Sequence, residues 1–149
     1  KIGRTQHQLE LSEVSYNILC KIKGKTDNEV LIALNNLSAA YASSGNYHKA
    51  LELVSHAYEA ILATEGSKNF YSILTLGNLA SYKAMLGQHE EAIDTLTKVY
   101  DLMCDVRSPE HPDSISVLEN LSVFYAVCGN RNKSVELAEK AYNFIMEML

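Results

Sequence analysis

The residues from Leu34 to Tyr58, LNNLSAAYASSGNYHKALELVSHAY, decide how the rest of the chain is read. They return as LGNLASYKAMLGQHEEAIDTLTKVY at 76–100 and as LENLSVFYAVCGNRNKSVELAEKAY at 118–142. Gly45, Gly87 and Gly129 lie 42 residues apart, as do Leu37, Leu79 and Leu121, so the copies keep register without insertion or deletion. Self-similarity at a fixed period marks a stack of supersecondary units, each burying its apolar face only against its neighbours.

Working outward, the same period places Gly3 under Gly45, Leu9 under Leu51 and Tyr16 under Tyr58. The opening residues are therefore the second half of an earlier unit. The chain is expected to form one domain, with a half repeat at 1–25 and repeats at 26–67, 68–109 and 110–149. The first residue is Lys rather than Met, and the last helix ends in the apolar run YNFIMEML. The start suggests processing or an excised fragment, and the first helix without an A helix to cover it, together with the apolar end, suggests an internal piece of a longer array or a homodimer formed through the chain ends.

The only prolines, Pro109 and Pro112, share one connection, and most glycines fall at repeat joints, so the pattern is helical throughout. Helices are expected near 4–22, 28–44, 47–64, 69–86, 89–105, 112–128 and 131–148. Each full unit is a pair, helix A then helix B. A glycine able to adopt a left-handed conformation closes helix A, and Asn46, Gln88 or Asn130 opens helix B, with Asn the better cap. Asp27 and Asn69 are candidate caps for A helices, while Pro112 suits a first helical turn after His111.

Small residues at Ala50, Ala92 and Ser134, and again at Ala57 and Ala141 around Val99, give helix B a narrow seam for close approach. Leu34, Leu37 and Tyr41 fill the opposing A face, matched by Leu76 and Leu79 and by Leu118, Leu121 and Tyr125. Lys83 interrupts the tyrosine slot, and Tyr82 beside it is expected to take over part of the volume.

Bulk composition is that of a packed protein: 149 residues, 47% hydrophobic, 21% charged, net charge -5. That charge argues against a nucleic-acid or anionic-membrane surface. No apolar stretch is long enough to span a bilayer. Cys20, Cys104 and Cys128 match no metal or redox spacing. The period puts Cys20 and Cys104 in one slot with Leu62 and Met146, expected to be a buried apolar position, and a reducing cytoplasmic setting follows. Histidines share their slots with unrelated residues, as His48 does with Gln6, Glu90 and Asn132. No catalytic residues, metal site or cofactor are expected.

The pattern Leu-x-x-Leu-Ser/Ala-x-x-Tyr, then Gly, then small residues five and twelve positions later, resembles the tetratricopeptide repeat, whose usual unit is about 34 residues. The longer period, Asn-Leu-Ser or Asn-Leu-Ala in helix A, and Glu-His-Pro-Asp before helix A are similar to the repeats of kinesin light chains. The resemblance implies an all-α, right-handed α-solenoid of antiparallel helix pairs with seven helices. It also implies a non-enzymatic adaptor or scaffold that binds a protein or peptide in a concave groove lined by A helices.

Taking Leu34 as the buried direction, the opposite faces of the A helices carry Ile32, Asn36, Ala39 and Ser43; Leu74, Asn78, Ser81 and Met85; and Ser116, Asn120, Val123 and Val127. None of the twelve bears a formal charge. Tetratricopeptide domains that hold acidic peptides use Lys and Arg on these helices; here Lys83 stands against Glu29, Asp113 and Glu119. The expected ligand is therefore neutral or apolar, with a basic residue near Glu119. The groove would consist of Asn36, Asn78, Asn120, Ala39, Ser81, Val123, Leu74, Met85, Val127 and Glu119. The asparagine ladder has two readings: amides that pair with a peptide backbone, or amides that pack adjacent A helices together.

Overall fold

A computed structural model of the chain describes residues 2–149; Lys1, where the half repeat begins, lies outside them. The described residues form seven helices: α1 (Ile2–Lys23), α2 (Asn28–Ser43), α3 (Tyr47–Glu65), α4 (Phe70–Met85), α5 (His89–Val106), α6 (Pro112–Val127) and α7 (Arg131–Glu147). Each packs on its neighbours in sequence, and α2 also touches α4. The architecture is an all-α solenoid of helix pairs, with α2, α4 and α6 as A helices and α1, α3, α5 and α7 as B helices.

Local chemistry sets the helix boundaries. Gly45, Gly87 and Gly129 have φ of 86°, 81° and 80°, a region that costs a side-chain-bearing residue but not glycine. Asn46 and Asn130 then accept hydrogen bonds from the backbone N–H of Lys49 and Lys133, both at 3.1 Å. Gln88, one methylene longer, makes no side-chain cap bond, so α5 begins uncapped. Asp27, Asn69 and His111 cap the three A helices, His111 through Nδ1 accepting from Asp113 N–H at 3.2 Å. Pro112 occupies the first turn of α6, where its missing N–H leaves no intrahelical bond unmade.

The A–B seam is fully dry at Ala50, Ala57 and Ala92, each 0% exposed, while Val99 and Ala141 are buried. Leu34, Leu37, Leu76, Leu118 and Leu121 fill the facing positions. Tyr82 is buried against Ala50 and Val54, and Lys83 beside it reaches out to Glu91 at 2.9 Å. A displaced aromatic thus supplies the volume, and the lysine stem runs to water.

Two B-to-A connections are tied by buried hydroxyls. Ser72 donates to the Gly66 carbonyl at 2.7 Å, and Ser114 donates to the Ser108 carbonyl at 2.6 Å. Val30 holds the equivalent place in α2.

The slot shared by Cys20, Leu62, Cys104 and Met146 is not buried: the first three are half-buried and Met146 is 49% exposed. Leu62 follows the buried Ile61 and lies about 100° further round the helix, at the margin of the packed stripe rather than within it.

Candidate functional site

The A helices present one face to the seam and leave the other open. Of the open-face residues, Leu74, Met85, Val123 and Val127 are 44%, 58%, 57% and 62% exposed, an unusual apolar share for a surface without packing partners. Asn36, Ser43, Ser81, Ser116 and Asn120 are exposed beside them; Ile32, Ala39 and Asn78 are half-buried. Glu119 is exposed on α6 next to Asn120.

Geometry divides the asparagine ladder. Asn78 Nδ2 donates to Asn35 Oδ1 at 3.2 Å, bridging α4 to α2, so its amide serves inter-helix packing. Asn36 and Asn120 make no side-chain hydrogen bond among the described residues. For Asn120 two facts bear on the difference: the position one period after Asn35 is Gly77, which has no side chain to bond, and α6 does not touch α4 as α4 touches α2. A Cβ built on Gly77 would meet nothing within 4 Å, so this half-buried position has room for a side chain that it lacks. A glycine in a helix interior costs about 1 kcal/mol relative to alanine. Sequence reasoning passed over Gly77, although a glycine inside a helical pattern was the available signal.

The remaining polar groups of this face are quiet. Ser81 donates back to the Gly77 carbonyl at 3.1 Å, and Ser43 to the Ala39 carbonyl at 3.0 Å. Beside Asn36, a cleft of about 230 Å³ opens between α1 and α2, lined by Gln8, Leu11, Ser12, Ser15, Ala33 and Asn36. Charge gathers on the B helices instead, where His48, Glu52, His56, Glu59, Glu90, Glu91, Asp94, Lys98 and Asp101 are exposed.

No group of three or more metal-ligating side chains occurs among the described residues. No described helix is long and apolar enough to cross a membrane. Two tyrosine hydroxyls, of Tyr58 and Tyr100, are buried without a hydrogen-bond partner. Burial, with Cys104 beside the ring, pushes the Tyr100 phenol above its ordinary range.

A search of curated proteins finds no match. Among solved structures, the nearly identical TPR-like repeats of a kinesin light chain from Podosopora anserina superpose with a TM-score of 0.88 at 24% identity, covering 99% of this chain and 70% of that one. BtubC (BKLC) from P. vanneervenii superposes with a TM-score of 0.84 at 17% identity, covering 98% of this chain and 58% of the other. At these identities the likeness is one of fold. A family model described as the tetratricopeptide repeat matches residues 29–105, more than half of the chain and most of the first two full repeats. The 42-residue register, the paired helices and that match converge, and the chain belongs to the tetratricopeptide repeat family.

Proposed function

We propose that this chain is a non-enzymatic interaction module that takes an extended peptide segment of a partner along the open face of its A helices, in adaptor or substrate-recognition fashion. Repeats of this family are generally protein-interaction modules without catalysis. The observation that carries the finer reading is the uncharged face itself. Leu74, Met85, Val123 and Val127 stand exposed among amides and hydroxyls, and Asn36 and Asn120 are exposed beside them.

A peptide backbone is a string of alternating donors and acceptors, and an asparagine amide can meet both. Asn36 and Asn120 can do so with the whole amide, whereas Asn78 has one N–H committed to Asn35, which fixes how its remaining N–H and oxygen are aimed. Exposed aliphatic side chains supply the apolar contact, and the absence of Lys and Arg from the face disfavours acidic segments. Glu119 would accept a basic side chain next to Asn120. An affinity in the micromolar range, about -8 kcal/mol, needs only a few such contacts.

Peptides selected from a random display library supply the test. Titration calorimetry is expected to give neutral or apolar sequences whose affinity falls about tenfold in Asn120→Ala and further in Val123→Asp, consistent with a loss near 1.4 kcal/mol for each tenfold step. Selected peptides that bind both variants with unchanged affinity would sink the reading.

A second reading has its own observation. Leu11, Val14, Ile18 and Ile22 form an exposed apolar stripe on α1, and Tyr142, Met146 and Met148 are exposed on the last helix and the residue after it. These would serve self-association of a scaffold. Sedimentation at rising concentration is expected to show a dimer on this reading; a strict monomer excludes it.

A further inference from the structure

Each joint between a B helix and the next A helix brings the last turn of one against the first turn of the other, and the middle joint departs from the other two at two charged positions. In the first, Lys23 ion-pairs with Glu29. In the third, the Arg107 guanidinium lies 5.3 Å from the centre of the Phe70 ring, with Asp113 in the following turn. By the 42-residue period, Lys23, Glu65 and Arg107 occupy one slot, and Glu29, Tyr71 and Asp113 another. The middle joint therefore has a carboxylate where its neighbours have a cation, and an aromatic ring where they have a carboxylate.

The middle joint is also hollow. Where Phe70 fills the third joint, the middle one has the smaller Asn28, leaving a cavity of about 170 Å³ lined by Asn28, Ile32, Ile61, Glu65, Asn69 and Tyr71. Glu65 accepts from Asn28 Nδ2 at 2.7 Å and from Asn69 Nδ2 at 3.4 Å, so two amides fix its direction across the cavity. It forms no ion pair among the described residues, and the nearest lysine in sequence, Lys68, is engaged with Asp105 at 3.0 Å. Tyr71 is 52% exposed at the rim and Ile32 supplies an aliphatic wall.

From this we infer that the notch takes an arginine side chain of a bound protein segment, its guanidinium against Tyr71 and paired with Glu65, supplying from the partner the cation that the flanking joints carry themselves. An arginine fits better than a lysine because a planar guanidinium can stack on a ring and bond a carboxylate through two N–H groups at once. The third joint, with Arg107 over Phe70, is the molecule's own example of that stacking. The inference rests on the groove reading, since Tyr71 and Leu74 are one turn apart on α4 and the notch opens at the edge of the same face.

N-acetyl-arginine amide is the probe, with the lysine and citrulline analogues as controls, followed in amide nitrogen–proton spectra of the whole chain. Saturable shifts confined to residues near 28–32 and 61–71 are expected, weaker for lysine and absent for uncharged citrulline. Glu65→Gln should weaken arginine about fivefold or more, as removal of a charge partner does. Tyr71→Ala, which removes the ring at the rim, should bring arginine down to the level of lysine while keeping the helical spectrum. Equal shifts from citrulline, or undiminished affinity in Glu65→Gln, would overturn the inference. The two readings fail separately. Blocked arginine has no peptide chain to lie along the A helices, so its shifts survive failure of the groove. If the notch fails, display-selected peptides bind Glu65→Gln as tightly as the parent chain.

Discussion

The buried seam and the open face of the A helices follow the same 42-residue period and obey different rules. Across the copies the seam repeats nearly the same volumes: Ala50 and Ala92 are both 0% exposed, and Leu37 and Leu121 are both buried. Around the constant Asn36, Asn78 and Asn120, the open face changes its chemistry at each step, from Ala39 to Ser81 to Val123 and from Ser43 to Met85 to Val127. Close packing punishes a change of one methylene in the seam, whereas a side chain in water has no such neighbour. The seam therefore builds the solenoid, and the open face is where one repeat can be distinguished from another by something outside the chain.

The sharpest way to break that comparison is to substitute neighbours on one helix. Leu118 is 1% exposed and Asn120, two residues on, is exposed. Leu118→Ala should destabilise the fold by about 3 kcal/mol, through lost burial and a residual cavity. Asn120→Ala should stay within about 0.5 kcal/mol. Urea unfolding measures both, and similar midpoints for the two would refute the division.

An intermediate effect is expected where the repeat's own cap varies. Asn130→Ala removes the bond to Lys133 N–H and should cost about 1 kcal/mol, while Gln88→Asn should give α5 the cap it lacks and stabilise it by a similar amount. Thermal melts of the two variants should move in opposite directions. A melt unchanged by Gln88→Asn would mean that some other group already serves the first turn of α5.

The smallest effect at neutral pH belongs to Tyr100. Its phenol is raised by burial, then by Cys104, with Asp101 and Glu110 adding to the shift, while Lys140 Nζ lies 5.3 Å from the ring centre. A folded pKa above the unfolded value of 10.0 means that the folded state holds its proton longer. Stability from this group is fully present below that unfolded value and is lost as pH rises through the folded one. Tyr100→Phe should be neutral to slightly stabilising at pH 7, because the buried hydroxyl it removes has no partner, and should flatten the alkaline fall in stability, which unfolding curves collected up the alkaline range will test. A fall as steep as that of the parent chain would assign alkaline loss elsewhere.

Much of this was legible in the sequence because it is local or periodic. The left-handed glycines, the Asn caps and the poor Gln88 cap depend on a few adjacent residues, and the seam depends on spacing alone. The displacement of bulk from Lys83 to Tyr82 could be read the same way. The division of the asparagine ladder could not, because the bond from Asn78 to Asn35 depends on how far α4 is offset along α2. The notch at Glu65 was hidden for a related reason: its lining comes from the ends of three helices, which no single helical wheel brings together. The half-buried Cys20 and Cys104 slot shows the same limit, since a shared slot gives equivalence without giving depth.

The serine hydroxyls that tie the B-to-A connections bear on how the stack bends. Ser72 and Ser114 hold the Gly66 and Ser108 carbonyls from inside the fold. Straightening either connection would strand a buried hydroxyl, a loss of about 1–3 kcal/mol. The first connection has Val30 in that place and carries no such latch. Under tension along the stack, its hinges are thus unequal: two resist through buried polar groups that must not be left unpaired, and the one after α1 has apolar contact at Val30 and the solvent-exposed Lys23–Glu29 ion pair instead.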